Sequence, residues 1–358
     1  MKIQSLNLYM QHTWRCLALF ALFYALIAAG CSNDAPSSDR RVAMPDTTGF
    51  TRHWEQAIPQ QPVPDGIDGL SAQACGECHV DNYREWKQSI HADAWVDLQF
   101  QNEIRKPNSP YVCRNCHTPL QNQQEYIVTG LINGDVFRPV KKPNPDFDPE
   151  LKQEAITCAV CHVRDGVIIG RRGNLDAPHP VKVDTVHLSE KLCFRCHNVA
   201  EVVTPTLVCA FETGNEWQEG PYSKLGTTCI TCHMPKVYRP LVEDGPERWT
   251  VRHTFVGSGI PKFPGKPQNR EFYVPGLDLQ AEPTLPSFAT GDTAYAIVRI
   301  RNSRAGHQLP TGDPERFITL TMQFLDRKGS VLKEHTERIG ETWEWYPVAR
   351  KIADNSIR

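Results

Sequence analysis

Apolar residues are spread unevenly along the chain, and their spacing divides it into five stretches. From Cys16 to Ala29 the run CLALFALFYALIAA is continuously apolar, with Lys2 and Arg15 ahead of it. Such a run is too short for a bilayer core, which takes about 20 residues in a helix, but it suits the apolar region of a secretory signal peptide. Residues 1–30 are therefore expected to be removed on export. Residues 31–70 include SSDRR, PDTTG and IPQQPVPDG and read as a flexible tether, too poor in apolar positions for a core. Residues 71–256 hold only short periodic pieces. VDNYREWKQSI after His79 suits a short helix, and Ser189 can cap another through LSEKLCFRCH. Residues 257–290, with GIPKFPGKPQ and AEPTLPS, read as an irregular connector. Beyond it the period becomes two, in Ala294, Ala296, Val298 and Ile300 and again in Ile318, Leu320, Met322 and Phe324, which predicts strands. FITLTMQFL, DRKG and SVLKEHTERI form a hairpin pattern with a four-residue turn. The expected fold is a mainly α/irregular domain of short helices over 71–256, followed by an all-β, sandwich-like domain over 291–358. The chain ends at DNSIR with no terminating element, so that domain is expected to be incomplete or to take a strand from elsewhere.

Composition narrows the function. The 358 residues suffice for two domains, and formal charge is −2. Removing residues 1–30 takes away Lys2 and Arg15 and no acid, leaving 37 basic against 41 acidic residues. No Lys/Arg cluster is present to neutralise phosphates, so nucleic acid is not an expected partner.

Thirteen cysteines in an exported chain suggest disulfides at first. Ten of them, however, fall in five copies of one pattern: Cys75-Gly-Glu-Cys78-His79, Cys113-Arg-Asn-Cys116-His117, Cys158-Ala-Val-Cys161-His162, Cys193-Phe-Arg-Cys196-His197 and Cys229-Ile-Thr-Cys232-His233. Random placement of the same residues would give roughly 0.02 copies. Two thiols at this spacing can each add to one vinyl group of a single porphyrin, and the adjoining histidine then reaches the iron as proximal ligand. Zinc sites take four ligands, usually two such pairs, and five pairs leave one unmatched. A redox dithiol would occur once, in a βαβ setting that is absent. Five covalently bound haem c groups follow. From Cys75 to His233 there are 159 residues, about 32 per haem, too few to wrap each porphyrin separately. The haems must pack against one another and form much of the core. Of the remaining cysteines, Cys16 leaves with the signal and Cys209, in TLVCAFETG, reads as a buried small hydrophobe.

Seven further histidines lie beyond the signal: His53, His91, His179, His187, His253, His307 and His335. They suffice for five distal ligands. His91 comes twelve positions after His79, up to ~18 Å along a helix, so a neighbouring haem is its better partner. His187 precedes the helix of the fourth motif and is placed to face another iron. Pro180 biases His179 away from helix, and His253 follows the fifth motif in WTVRHTFVG; both are distal candidates. His307, in RAGHQLPTGDP, is a candidate if its loop leans back onto the haem region and a surface residue otherwise. His53, in the tether, and His335, in KEHTER, read as solvated.

Several of these stretches resemble known proteins. IAAGCSND resembles a bacterial lipoprotein signal, in which Cys31 becomes the lipidated first residue of the mature chain and Ser32 permits sorting to the outer membrane. Ala28 departs from that pattern, and a soluble periplasmic product is the alternative. CGECHVDNYREWKQSIHADAW, from Cys75 to Trp95, resembles the first haem segment of the multihaem c-type cytochrome superfamily, in the branch of the tetrahaem electron acceptor of hydroxylamine oxidoreductase, and distantly the pentahaem nitrite reductases. Glu216-Trp217, GPYSKLGTTCITCHMP and RHTF are similar to a block recurring there, so the likeness covers roughly residues 71–256. It implies haems stacked in alternating parallel and perpendicular pairs, His91 serving another haem, and distal roles for His179, His187 and His253. GHQLPTG resembles a loop of β-rich domains appended to multihaem cytochromes. The chain departs from the nitrite reductases, which carry lysine in place of one motif histidine, and from the eight-haem hydroxylamine oxidoreductases.

The leading functional expectation is an electron-transfer protein with mostly bis-histidine haems passing electrons between redox partners. It would sit in the periplasm or at the outer membrane through a lipid anchor at Cys31, with the β domain free to dock on a membrane complex. The alternative is an oxidoreductase in which one iron lacks a distal histidine and acts on a small nitrogen or sulfur compound.

Overall fold

The computed structural model describes residues 47–106, 109–173, 177–204, 207–257, 273–284, 289, 291–293 and 295–358. The signal peptide, Cys31, Ser32 and the first part of the expected tether lie outside the described residues. Among those described, no helix is long and apolar enough to cross a membrane.

Strand β1 (Thr47–Thr48) and a 3-10 turn at His53–Glu55 precede α1 (Ala72–Gly76), α2 (Val80–Lys87), α3 (Leu98–Arg105) and α4 (Arg114–His117). Strands β2 (Tyr126–Ile132) and β3 (Pro139–Pro143) follow, then α5 (Pro149–Gln153) and α6 (Cys158–His162). Next come β4 (Val163–Arg164), β5 (Val167–Gly170), β6 (Val181–Val183), α7 (Glu190–His197), β7 (Val199–Thr204) and β8 (Leu207–Phe211). Helices α8 (Thr213–Glu219), α9 (Pro221–Lys224) and α10 (Cys229–His233) lead to β9 (Lys236–Pro240) and β10 (Glu247–Val251). The C-terminal part holds β11 (Leu277–Pro283), β12 (Ala296–Asn302), β13 (Phe317–Leu325), β14 (Val331–Glu344) and β15 (Arg350–Asp354).

The second to fifth motifs each end a helix of only one or two turns, and the first runs from the end of α1 to the start of α2. Helices this short do not persist on their own propensity, and side-chain caps start two of them. Ser71 Oγ accepts from Ala74 N at 3.0 Å to open α1, and Ser189 Oγ accepts from Lys191 N at 3.3 Å to open α7. The rest of their support is tertiary. The expected short helices are thus present, interleaved with small sheets too short to leave a periodic signature: β1-β2-β3, β4-β5-β6, β7-β8 and β9-β10.

The expectation of a flexible tether through residue 70 fails from Thr47 onward. Trp54, Ala57, Ile58, Gln61 and Leu70 are buried. Ile58 and Leu70 pack with Leu120, Leu151, Val160 and Val163, while Trp54 packs with Tyr111, Val112, Leu131 and Val199. Polar groups of this stretch are tied to the body of the fold: Gln61 N donates to Asn122 Oδ1 at 2.9 Å, and Asn122 Nδ2 returns to Gln61 O at 3.0 Å. Low apolar content was misleading because most of the few apolar residues face inward, Val63 being the exposed exception.

The irregular connector likewise gives way at Leu277, where β11 begins its antiparallel pairing with β12. The hairpin of β13 and β14 forms as expected, its turn held by Asp326 Oδ1 accepting from Lys328 N and Ser330 N, each at 2.8 Å. β13-β14-β15 and β11-β12 are separate sheets. The β part is not a detached domain, since residues 47–358 form one compact unit. Trp343 and Trp345 pack on Val208, Ala210 and Ala349, and Tyr222 Oη donates to Ser303 O at 3.1 Å.

Candidate cofactor site

The motif helices surround one continuous cavity of about 2450 Å³, lined by the cysteines and histidines of the first, third, fourth and fifth motifs. His91, His179, His253 and His307 line it too, and the second motif borders it through Asn115. Small-molecule pockets run to roughly 300–1,000 Å³, so this space suits several large groups.

Within it, histidines far apart in sequence meet in pairs. His79 faces His179 with ring centres 6.4 Å apart, His197 faces His91 at 6.3 Å, His162 faces His253 at 6.2 Å and His233 faces His307 at 6.2 Å. Two imidazoles bonded to one metal ion at about 2.0 Å each place their ring centres about 6.3 Å apart. Each pair joins one motif histidine to one histidine from outside the motifs.

In five of the eight paired imidazoles the other ring nitrogen is hydrogen-bonded, as a ligand set requires. Nδ1–H of His79 donates to Leu241 O at 3.2 Å, that of His162 to Ile169 O at 2.9 Å, and that of His233 to Val256 O. His253 donates to Val251 O at 3.2 Å and His307 to Gln308 O at 2.9 Å. These bonds select the tautomer that leaves Nε2 as the lone-pair donor. His179 Nδ1 is buried without a partner among the described residues. Burial lowers His91 to about 3 and His197 and His253 to about 4, so all three are neutral at physiological pH. The residues present therefore fit bis-imidazole iron at four positions.

At the second motif, His117 Nδ1 bonds Ala94 O at 2.6 Å and the Phe100 ring stacks on the imidazole at 3.7 Å and 5°. His187, expected as a distal ligand, has no such ring pairing among the described residues; its Nε2, not its Nδ1, bonds a carbonyl, Cys161 O at 3.0 Å. His335 lies on an exposed face of β14, as a solvated reading requires, whereas His53, at the 3-10 turn, is exposed but lines the cavity. Cys209 packs beside Phe211 in the Trp54 cluster.

The motifs lie against one another. The Cys75 and Cys158 thiols lie close enough to perturb each other's ionisation, as do Cys116 with Cys196 and Cys193 with Cys229. Helix α1 accordingly packs on α6, and α7 on α10. The fourth motif thus borders the second and the fifth, while the first borders the third. Among the described residues no group of three or more His, Cys, Asp or Glu is arranged to hold a metal ion.

Sequence reasoning missed two residues. Glu85 on α2 accepts from Arg239 at 2.6 and 2.9 Å, from Arg252 at 2.8 Å and from His253 N at 2.8 Å. Burial opposes its ionisation, but the Arg239 and His253 bonds outweigh that and hold its carboxyl below the ordinary range. Phe255 lies between His91 and His253. A charged residue inside a helix next to a motif was the available signal for Glu85; Phe255 left none.

A family model described as cytochrome c554 and c-prime matches residues 74–133, a span that holds the first two motifs. The match supports a c-type cytochrome, a class that binds haem c covalently and carries electrons. No solved structure matches the chain.

Proposed function

We propose that the chain is an exported pentahaem c-type cytochrome, on the branch of the tetrahaem acceptor of hydroxylamine oxidoreductase, that passes electrons between redox partner proteins. The observation that carries this reading is the set of four imidazole pairs at 6.2–6.4 Å, each built from one motif histidine and one distant histidine. Haem iron held by two imidazoles supplies one-electron chemistry while staying closed to small ligands, with potentials set by ligands and burial. The chain's own residues do the positioning: motif cysteines anchor, backbone carbonyls fix the tautomers of His79, His162, His233, His253 and His307, and the β part delivers His307 to the fifth motif. The β part is in this view a ligand donor as well as a docking element. Thioether anchors in neighbouring motifs that touch imply cofactors close enough for direct electron exchange. Export through residues 1–30 and lipidation at Cys31 would tether the cytochrome to a membrane in an oxidising compartment.

The test is haem stoichiometry and spin state of the mature protein. Five haems per chain by pyridine haemochrome and intact mass are expected, with low-spin spectra for the four whose histidines pair. A high-spin fraction of about one haem in five would sink the pure-relay reading and favour an oxidoreductase with one open iron. Fewer than five haems would refute the pentahaem assignment.

A further inference from the structure

The segment from Val251 to Val256 touches histidines of three different pairs. Val251 O accepts from His253, which faces His162. Val256 O accepts from His233, which faces His307. Between these carbonyls the Phe255 ring lies 4.4 Å from that of His91 at 52°, and 5.9 Å from that of His253 at 90°. His91 in turn faces His197, with 43° between the ring planes.

Phe255 is held there from outside. Arg252 N donates to Pro235 O at 2.9 Å, and Glu85 accepts from both the Arg252 guanidinium and His253 N at 2.8 Å. Phe255 itself takes φ +45°, a left-handed conformation that bulky side chains avoid. Anchors on either side impose that turn, and the turn sets the ring between two imidazoles along the cavity.

Rotation of an imidazole about its metal bond is soft, and the ring plane is normally held by a hydrogen bond from the second nitrogen. Among the described residues the His91 ring makes no hydrogen bond, so the aromatic contact on its face is what orients it. We propose that Phe255 is a positioning residue for His91, fixing the plane of that imidazole opposite His197, and that residues 251–256 thereby tie the ligands of the third, fourth and fifth motifs together. The proposal rests on the bis-histidine haem reading above.

The test compares the mature wild-type protein with Phe255→Ala, Phe255→Leu and Phe255→Tyr. Haem content is measured first: a wild type without haem overturns the cofactor reading itself, independently of Phe255. With five haems in each protein, low-temperature EPR of the oxidised state reads the angle between paired imidazole planes. Phe255→Ala is expected to shift or abolish one low-spin signal and leave the others in place. Phe255→Tyr, which keeps the ring, is expected to restore it. Phe255→Leu keeps bulk without a flat ring; at an unchanged urea midpoint it should move the same signal by less, which separates positioning from a folding defect. Superimposable spectra for wild type, Ala and Leu variants would overturn the proposal, as would equal shifts in all the low-spin signals.

Discussion

Replacing Glu85 by alanine should destabilise the protein by about 3 kcal/mol, and the number follows from what the carboxylate holds. Its side chain is 11 % exposed, Arg239 is 13 % exposed and Arg252 27 %. The two carboxylate oxygens accept four hydrogen bonds, three from guanidinium nitrogens and one from the backbone of His253. Removing one partner of a buried pair costs about 3–5 kcal/mol because the opposite charge stays buried. The low end applies here, since Arg252 can turn toward water. Glu85→Gln keeps an oxygen acceptor but loses the charge and sets its amide donors against donors, which costs about 2 kcal/mol. With a urea slope of about 3 kcal/mol/M, the alanine variant should unfold about 1 M earlier. The assay is urea unfolding of the mature protein, followed by far-UV circular dichroism and by Soret absorbance. The Soret transition should move at least as far as the dichroism, because Glu85 holds His253 directly. An alanine midpoint within 0.2 M (about 0.6 kcal/mol) of wild type would refute the claim that this carboxylate is structurally critical.

Two further outcomes follow from single contacts. His307→Ala should open the iron at the fifth motif, since among the described residues His307 is the histidine that faces His233; cyanide or added imidazole should then bind one haem in five more than in wild type, and spectral titration that detects no added binding would contradict the pairing. Gly66 has φ +80°, and a Cβ there would lie 2.0 Å from Pro178 O, next to His179. Gly66→Ala should therefore cost the left-handed penalty of about 1–2 kcal/mol plus the overlap, lower the urea midpoint and disturb one low-spin signal. Gly69→Ala, whose Cβ would meet nothing closer than 4.0 Å, should do neither.

The motifs were legible because covalent attachment demands a local spacing, and local spacing is what a sequence displays directly. The escape of His91 from its own motif was legible too, since a helix after His79 carries it away; α2 stops at Lys87, yet His91 still reaches the fourth motif's His197. The pairings themselves were not, because His79 and His179 or His233 and His307 are joined only by tertiary packing. His307 was an open question until Tyr222 and Glu216 were seen to hold its loop through Ser303 O, Gln308 N and Thr311 Oγ1. His187 misled because proximity to a motif helix carries no information on which nitrogen points where. The stretch from Thr47 to Leu70 misled through averaging: composition counts apolar residues, whereas burial depends on whether Trp54, Ile58 and Leu70 share a side. Carbonyl acceptors such as Leu241 O and Ile169 O have no side-chain signature at all.

These elements also make a claim about the order of folding and cofactor attachment. Buried apolar residues gather in small clusters around the rim of the cavity, and the helices that carry the motifs span one or two turns. Cavities cost about 24 cal/mol per Å³ in protein cores. At that rate 2450 Å³ would cost about 60 kcal/mol, several times the 5–15 kcal/mol by which a domain is stable. Water filling the space would relieve much of that cost but would leave the lining of the cavity in contact with solvent rather than packed. The chain made without haem attachment should therefore lack a cooperative unfolding transition and be cut by protease throughout residues 71–256, while the matured protein resists. A haem-free chain that unfolds cooperatively, with protection between Cys75 and His233, would show that the polypeptide builds this cavity by itself, and the cofactors would then be passengers in the fold.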